Sequence, residues 1–390
     1  MTIEATLTLA QTAREPWQIV VVGAGPAGSL AARELARRGR AVLLVDRAAF
    51  PRWKVCGCCL NARALATLGG VGLADLAARH GAVPLRSALV AAGGCRARLP
   101  LPGGAILSRG AFDAALVAEA VAAGAAFLPR TQAALGSLTA WGREVTLSEH
   151  GTTAVVSASL VLAADGLGGR LLGGVAAPPA RASRIGAGAI AGGAPDCFVP
   201  GCVYLACGSG GYVGLARLED GRLDVAAAFD REAVRRAGGP GEAAVRILGE
   251  VGWPIVSGLA ELSWRGTPAL TRRAGRLAAE RVLVLGDAAG YVEPFTGEGI
   301  AWALASAVAV APLADRAAGR WEPSTERAWA ALHRRVVAGR QGTCRLVAEV
   351  LRHPRLARAV IAVLGRLPAL AAPVLKRVNT VPPFPRGLPS

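Results

Sequence analysis

The feature that most constrains the fold is a glycine-rich turn between a short strand and a helical segment. Residues 19–22 are an uninterrupted β-branched run that leads into Gly23-Ala24-Gly25-Pro26-Ala27-Gly28. Helix-forming residues continue over 27–38, and a second apolar strand over 41–46 ends at Asp46. A strand, a glycine turn, a helix and a second strand in this order predict a βαβ unit.

The three glycines of this turn each have a physical reason to be glycine. The first permits a tight turn, the second lets the backbone approach a pyrophosphate, and the third allows close helix packing. Free N–H groups at the helix N-terminus favour anions. Asp46 ends the second strand at the spacing expected for a carboxylate that binds a ribose hydroxyl. The unit therefore predicts a dinucleotide site, and it fits NAD and FAD equally well.

Two further turns downstream resemble the FAD motifs of the para-hydroxybenzoate hydroxylase superfamily. Residues 281–290 form an apolar strand that ends in Gly286-Asp287, and residues 294–299 read Pro-Phe-Thr-Gly-Glu-Gly before a long helix from about Glu298 to Asp315. Asp165-Gly166 follows a segment predicted as paired strands over 153–164. The resemblance extends from residue 18 to residue 313, and it chooses FAD over NAD.

The resemblance implies a set of cofactor contacts. It implies that Asp287 contacts the ribityl chain, that the helix N-terminus faces the flavin, and that Asp165-Gly166 lies near the pyrophosphate and the entering nicotinamide. FAD is the expected cofactor, with NADPH or NADH as the reductant. The predicted cofactor-binding residues are Gly23, Gly25, Gly28, Asp46, Arg47, Arg109, Asp165, Gly166, Gly286, Asp287, Pro294, Gly297, Glu298 and Gly299.

Within this superfamily, the loop Pro-Arg-Trp-Lys-Val-Cys-Gly-Cys-Cys-Leu over 51–60 resembles the Cys-Gly loop of the geranylgeranyl reductase branch. The resemblance implies a loop close to the isoalloxazine ring, and a pocket-shaping role for Cys56 is favoured over a reactive thiolate. Arg52 and Lys54 either meet cofactor phosphates or are solvated loop charges. The catalytic residue is unknown, with Cys56 and Glu298 as weak candidates.

Composition limits the remaining classes. A chain of 390 residues has room for two domains. We expect a cytoplasmic protein, because no stretch reaches about 18 uncharged apolar residues and the N-terminus lacks a basic start with an apolar core. The eight cysteines are expected to be reduced thiols. No metal is predicted, because the cysteines over 56–59 lack a second pair at zinc spacing.

The predicted fold class is α/β: a discontinuous Rossmann-like FAD-binding domain with a βαβ core, an inserted β-rich substrate domain and a C-terminal helical region. Strand-like runs broken by turns, with few helical signals over 181–268, indicate the insertion. The predicted FAD-binding domain comprises 17–84, 102–180 and 268–330. The predicted substrate domain comprises 85–101 and 181–267, and the helical region comprises 331–390.

The C-terminal region is basic and apolar at once. Residues 331–390 hold eleven basic residues and one acid, with aliphatic residues at helical spacing. A nucleic-acid partner is not expected, because aromatic residues do not alternate with the basic ones. Two interpretations stay open: a surface for peripheral membrane contact or a lipid substrate, and a helical cap with a solvated arginine face.

The reaction is less constrained than the cofactor. The strand Gly-Tyr-Val-Gly-Leu-Ala over 211–216 lacks the Trp and Pro of the corresponding prenyl reductase and halogenase motifs, and only Tyr212 is a candidate pocket wall. This narrowly favours an NAD(P)H-dependent hydroxylase of a hydrophobic phenolic or polyketide-like molecule. One alternative is a geranylgeranyl reductase-like enzyme that saturates isoprenoid double bonds; another is a non-catalytic, membrane-associated flavin-binding protein. Substrate identity, the nicotinamide and the oligomeric state stay open.

Overall fold

A computed structural model describes residues 2–172, 183–293 and 295–380. The strands are β1 Trp17–Val22, β2 Val42–Val45, β3 Cys59–Asn61, β4 Val83–Pro84, β5 Ser87–Ala92, β6 Cys95–Pro100, β7 Gly104–Ile106, β8 Ala126–Leu128, β9 Gln132–Leu138, β10 Arg143–Glu149, β11 Thr152–Ala163, β12 Ile185–Ala191, β13 Cys202–Gly208, β14 Gly211–Arg217, β15 Leu223–Phe229, β16 Arg265–Ala269, β17 Arg272–Arg273, β18 Ala278–Ala279, β19 Val282–Val284 and β20 Gly290–Tyr291. The α-helices are α1 Leu9–Thr12, α2 Pro26–Ala36, α3 Ala62–Gly70, α4 Leu76–Arg79, α5 Arg109–Ala122, α6 Arg231–Ala237, α7 Pro240–Glu250, α8 Gly299–Gly319, α9 Ser324–Val336, α10 Gln341–Val350, α11 Pro354–Arg366 and α12 Ala372–Asn379.

An eight-stranded sheet carries the βαβ unit. Its parallel centre runs β19, β11, β1, β2, β8, so β1 lies between β11 and β2. Helices α2, α5 and α8 cover one face of this parallel centre. Side chains of α1 and of β10 pack on the other face. A parallel sheet covered on both faces needs apolar residues at every position, which explains the β-branched run of β1.

The segment over 153–164 differs from its predicted form. It is one strand, β11, which pairs antiparallel with β10 over most of its length and parallel with β1 in its second half. Alternating polar residues in the first half and apolar residues in the second half reflect these two environments. The alternating pattern of the first half and the apolar pattern of the second half each predict a strand, although together they form one.

A seven-stranded sheet forms the second body. Its order is β16, β12, β15, β14, β13, β5, β6, so two separate chain segments build it. One face packs against α7, a helix that begins at Pro240 and buries Ala244, Ile247 and Leu248. Helices α6 and α7 fall in the interval predicted to have few helices, because Gly and Pro at their ends mask two short amphipathic segments. The domain boundaries themselves stay a prediction.

Helix α8 and the helices after it connect the two bodies. Among the described residues, α8 is the one unbroken helix that is long and apolar enough to cross a membrane, and 78% of its apolar stretch is buried against the rest of the protein. Helix α9 returns to the first sheet, where the Trp329 indole donates a hydrogen bond to the Val284 carbonyl. Helix α11 packs on β5 and β6 of the second sheet.

Candidate cofactor and substrate site

The glycine turn is held by backbone contact at its first and third glycines. Gly23 has a φ of +102°, and a Cβ there would overlap the Ala164 carbonyl. A Cβ on Gly28 would overlap the Gly23 carbonyl. Gly25, by contrast, lines a cavity, and its side lies open apart from the Arg52 guanidinium. No side chain caps α2, so its first N–H groups are available to an anion.

Asp46 lies beside this turn and holds its conformation. One carboxylate oxygen accepts a hydrogen bond from the Ala24 amide at 2.8 Å, and the other accepts from the Ala48 amide at 2.9 Å. Arg52 Nη2 is 3.5 Å from the same carboxylate. The side chain does not line the cavity. The structure therefore gives Asp46 a positioning role, and its contact with a ribose hydroxyl stays a prediction.

Arg47, Lys54 and Arg109 place positive charge along the cavity wall near the turn. Arg109 forms two 2.8 Å hydrogen bonds with the Asp113 carboxylate. Burial opposes the charge of Arg109, but the ion pair with Asp113 outweighs it and raises the pKa of the guanidinium. Burial and the neighbouring Arg109 lower the pKa of Lys54, while Asp287 acts in the opposite direction. This set of cations, of which Arg109 is buried and Arg47 is exposed, suits a pyrophosphate.

The second FAD motif packs directly against the first. Gly286 has a φ of +63°, and a Cβ there would be 2.8 Å from the Ala27 Cβ in the glycine-turn helix. Burial raises the pKa of the Asp287 carboxyl, and Lys54 lowers it in part. Residues from all three predicted motifs line one cavity: Gly25, Asp165, Gly166, Gly286, Asp287, Gly297 and Gly299. Pro294 lies outside the described residues.

Glu298 is buried next to this site and does not line the cavity. Its side chain is 1% exposed and accepts a 3.0 Å hydrogen bond from the Thr296 hydroxyl. Burial raises the pKa of its carboxyl to about 7, and the Thr296 hydrogen bond and the nearby Arg63 act against that rise. The geometry favours a role in shaping the loop before α8 over contact with a substrate.

Glu298→Gln tests this placement through pH. Because the folded-state pKa of about 7 exceeds the ordinary value of 4.5, protonated Glu298 favours folding, and that stability is lost as the pH rises from 4.5 to 7. We expect the two proteins to have similar Tm values at about pH 4, and the Gln variant to become the more stable one by about pH 8. Thermal unfolding across this range measures the difference. A Tm difference that does not change with pH would contradict the assignment.

The cysteine loop also reaches the cavity. Cys56 lines it and interacts with the Arg109 guanidinium, while Cys58 is buried with a φ of +52°. All the cysteines lie in the described part of the chain, and each is a free thiol. Over residues 2–172, 183–293 and 295–380, no group of three or more His, Cys, Asp or Glu side chains is arranged to hold a metal ion.

The same cavity continues from the cofactor motifs to the second sheet and the C-terminal helices. Its volume is about 800 Å³. Tyr212 forms part of the wall and meets the Phe295 ring edge-on at 5.0 Å. The C-terminal helices contribute an aliphatic wall: Leu346, Val347, Val350, Leu351, Val360, Ile361, Leu364, Val374, Leu375 and Val378. One space therefore joins a polar cofactor end to an apolar end.

These residues fit FAD. The open glycine turn and the cations beside it suit a pyrophosphate, and Gly25, Gly286 and Gly297 leave the backbone close to the cavity without side chains in between. Asp287, at the junction of the cation cluster and the apolar space, is suited to a polyhydroxylated chain. The individual contacts predicted from the sequence stay predictions.

Three functional features have no counterpart in the sequence predictions. Asp224 lines the cavity from β15, and Arg265 lies over the Trp53 ring at 5.1 Å on the cavity wall. Arg184 forms a buried 3.0 Å ion pair with Glu293. The sequence does contain a signal for Asp224, because it is the one charged residue in the otherwise apolar strand Leu-Asp-Val-Ala-Ala-Ala-Phe.

Comparison with known proteins agrees with this geometry. Residues 17–189 match the family model of the FAD binding domain. The menaquinone reductase of Mycobacterium tuberculosis (strain ATCC 25618 / H37Rv) is 56% identical over 62 residues, which are 16% of this chain and 15% of that protein. The kynurenine 3-monooxygenase of Salinispora arenicola is 42% identical over 90 residues, 21% of this chain and 20% of that protein. Each match thus spans a small part of the relative's length.

The solved structures show the fold over nearly the whole chain. A geranylgeranyl bacteriochlorophyll reductase-like protein from Thermoplasma acidophilum superposes with a TM-score of 0.71 at 19% identity, covering 93% of this chain and 98% of that one. The arrangement of FAD-binding sheet, second sheet and C-terminal helices is therefore that of known flavoproteins.

Proposed function

We propose that this chain is an FAD-dependent oxidoreductase of the para-hydroxybenzoate hydroxylase superfamily and that it reduces a lipophilic molecule of the isoprenoid-quinone class. The match of residues 17–189 to the FAD binding domain and the shared fold support the first part. The observation that carries this proposal is the continuous cavity from the FAD motifs to the aliphatic wall on α10, α11 and α12. A wall of Leu, Ile and Val suits a hydrocarbon substrate, because apolar burial supplies most of the binding free energy there. The match to a menaquinone reductase supports the quinone part of the class.

The chain's own residues divide the work along the cavity. Bound FAD would supply hydride transfer. The N-terminus of α2, Lys54 and Arg109 would hold its pyrophosphate, while Asp287 would orient the chain that leads to the ring. Tyr212 and Phe295 form an aromatic wall between the cofactor end and the aliphatic end. Tyr212 is buried, so it shields that part of the cavity from water.

Hydroxylation is the second candidate. The sequence of 211–216 narrowly favours it, and the match to a kynurenine 3-monooxygenase supports it. The reductase proposal ranks first because the cavity wall is aliphatic on the C-terminal helices, which suits an isoprenoid chain better than a compact phenol. A non-catalytic flavin-binding protein is not proposed, because the chain is an FAD-dependent oxidoreductase.

Product mass separates the two candidates. The FAD-loaded protein is incubated with NADPH or NADH and with menaquinone in phosphatidylglycerol vesicles, first without oxygen and then with oxygen. We expect the lipid to gain two hydrogens per reduced double bond without oxygen. A gain of one oxygen atom, seen only with oxygen, would favour hydroxylation. An unchanged lipid beside a flavin that the nicotinamide has reduced would contradict the proposal, and reactions without nicotinamide serve as the control.

The same vesicles test peripheral membrane contact, which stays a prediction. The C-terminal helices expose Leu346, Leu367 and Leu370 near arginines, and Leu346 and Leu370 also line the cavity. Such a surface suits anionic lipid. We expect the protein to sediment with phosphatidylglycerol vesicles and less with neutral ones; protein that stays in the supernatant with both would contradict this.

A further inference from the structure

We infer that Asp224 anchors the polar head of the substrate, by a hydrogen bond to a ring oxygen of the quinone class. The inference rests on the proposed function and names the residue that would fix the position of the ring. Asp224 lies on β15 of the second sheet, outside the FAD motifs, and it faces Cys58 of the cysteine loop.

The first support is the direction of the side chain. Along β15, Leu223, Val225, Ala227 and Phe229 belong to the apolar cluster that packs on α7. Residues alternate between the two faces of a strand, so Asp224 belongs to the opposite face. That face lines the cavity, and Asp224 is one of its lining residues. The carboxyl group therefore faces the ligand space rather than the solvent.

The second support is the chemistry of the surrounding wall. The cavity-lining positions next to it on β14 and β15 are small: Gly214, Ala216 and Ala226. A carboxyl group in such a wall costs free energy unless a partner satisfies it. The small neighbours leave room for a flat ring beside it.

The third support is an unsatisfied oxygen. Asp224 is 1% exposed, and its Oδ1 has no hydrogen-bond partner among the described residues. The titratable and charged groups that face the carboxyl are Cys58, Cys59, Arg109 and Glu219. Burial raises the pKa of Asp224 to about 8, with Cys58 and Arg109 acting against the rise. At neutral pH the group is a protonated donor, which suits a carbonyl oxygen.

A matched pair of ligands tests the inference. Menadione and methylnaphthalene have the same ring skeleton and methyl group, and only menadione has ring oxygens. Their dissociation constants for the oxidised, FAD-loaded protein are measured from changes in tryptophan fluorescence. We expect menadione to bind about tenfold more tightly in the wild type, as one hydrogen bond would give. The expected preference falls as the pH rises through about 8.

Two variants distinguish contact from folding. Asp224→Leu is expected to bind both ligands about equally, because it keeps the branched shape of the side chain and removes the donor. Asp224→Asn should retain part of the preference without the pH dependence, because an amide donates at every pH. If the Leu variant does not fold, the Asn variant alone tests whether Asp224 contacts the ligand. FAD content and Tm are recorded for each protein.

The outcomes separate this inference from the proposed function. If the wild type prefers menadione and the variants keep that preference and its pH dependence, the inference is overturned while the proposed function stands. Equal binding of both ligands by the wild type overturns the inference alone. If the FAD-loaded wild type binds neither ligand, both the inference and the proposed quinone class fail.

Discussion

Gly28→Ala is expected to produce a protein that no longer retains FAD. Gly28 packs against the Gly23 carbonyl, and a Cβ there would overlap that backbone oxygen. Either α2 must withdraw or the glycine turn must open, and both changes move the amides that would hold the pyrophosphate. Overpacking of this kind costs about 1–3 kcal/mol. We expect FAD affinity to fall at least about tenfold, which corresponds to about 1.4 kcal/mol.

The flavin-to-protein ratio after gel filtration measures this loss, together with the FAD dissociation constant of the apoprotein. Gly70→Ala is the matched control, because Gly70 ends α3 and a Cβ there would meet no atom within 4 Å. The control is expected to keep FAD and Tm unchanged. A Gly28→Ala protein with a full complement of FAD would mean that the turn does not bind the cofactor.

The second large effect is expected for Arg184→Met, which breaks a buried junction between three parts of the chain. Arg184 Nη1 lies 3.0 Å from the Glu293 carboxylate, in the loop before α8. Its Nη2 donates to the Leu351 carbonyl at the end of α10, and its Nε lies 3.3 Å from Asp230 of the second sheet's body. The guanidinium also lies over the Tyr212 ring.

Removing Arg184 leaves the Glu293 carboxyl buried without this partner. Breaking one side of a buried ion pair costs about 3–5 kcal/mol. Burial raises the pKa of Glu293, and Arg184 is the largest influence that lowers it. We therefore expect Arg184→Met to lower the free energy of unfolding by an amount in that range. Chemical denaturation of the FAD-loaded protein, followed by tryptophan fluorescence and flavin release, measures it.

Two controls make this prediction specific. Arg222→Met removes an exposed pair with Asp220 and should cost less than about 1 kcal/mol. Adding Glu293→Gln to Arg184→Met should recover part of the loss, because no buried charge is left unpaired. Equal stability of the Arg184 and Arg222 variants would show that the junction contributes little.

The sequence was most informative where a short pattern of residues is compatible with a single local structure. The βαβ unit, the hairpin of β5 and β6 and the long α8 all follow from short-range patterns of glycine, strand and helix. FAD binding and the α/β fold class with a C-terminal helical region are confirmed by the family match and the fold comparison. The roles of individual site residues stay predictions, and the Gly28 and Glu298 variants test two of them.

The sequence was least informative where residues meet across long separations. Asp224 faces the cysteine loop, and Arg184 pairs with Glu293, through contacts that only the packed bodies create. A single charged residue in an apolar segment predicts that another polar group pairs with it, but the sequence does not identify that group. Helices α6 and α7 were missed because they are short and have glycine or proline at their ends.

The discontinuity of the FAD-binding sheet has a consequence for biosynthesis. The glycine turn is translated long before β19 and the loop before α8, which are needed to complete the same site. FAD therefore has its full binding site only after the loop before α8 has been translated. A nascent chain that pauses earlier exposes the edge of β11 that later pairs with β19, so a chaperone is expected to protect it until the cofactor can bind.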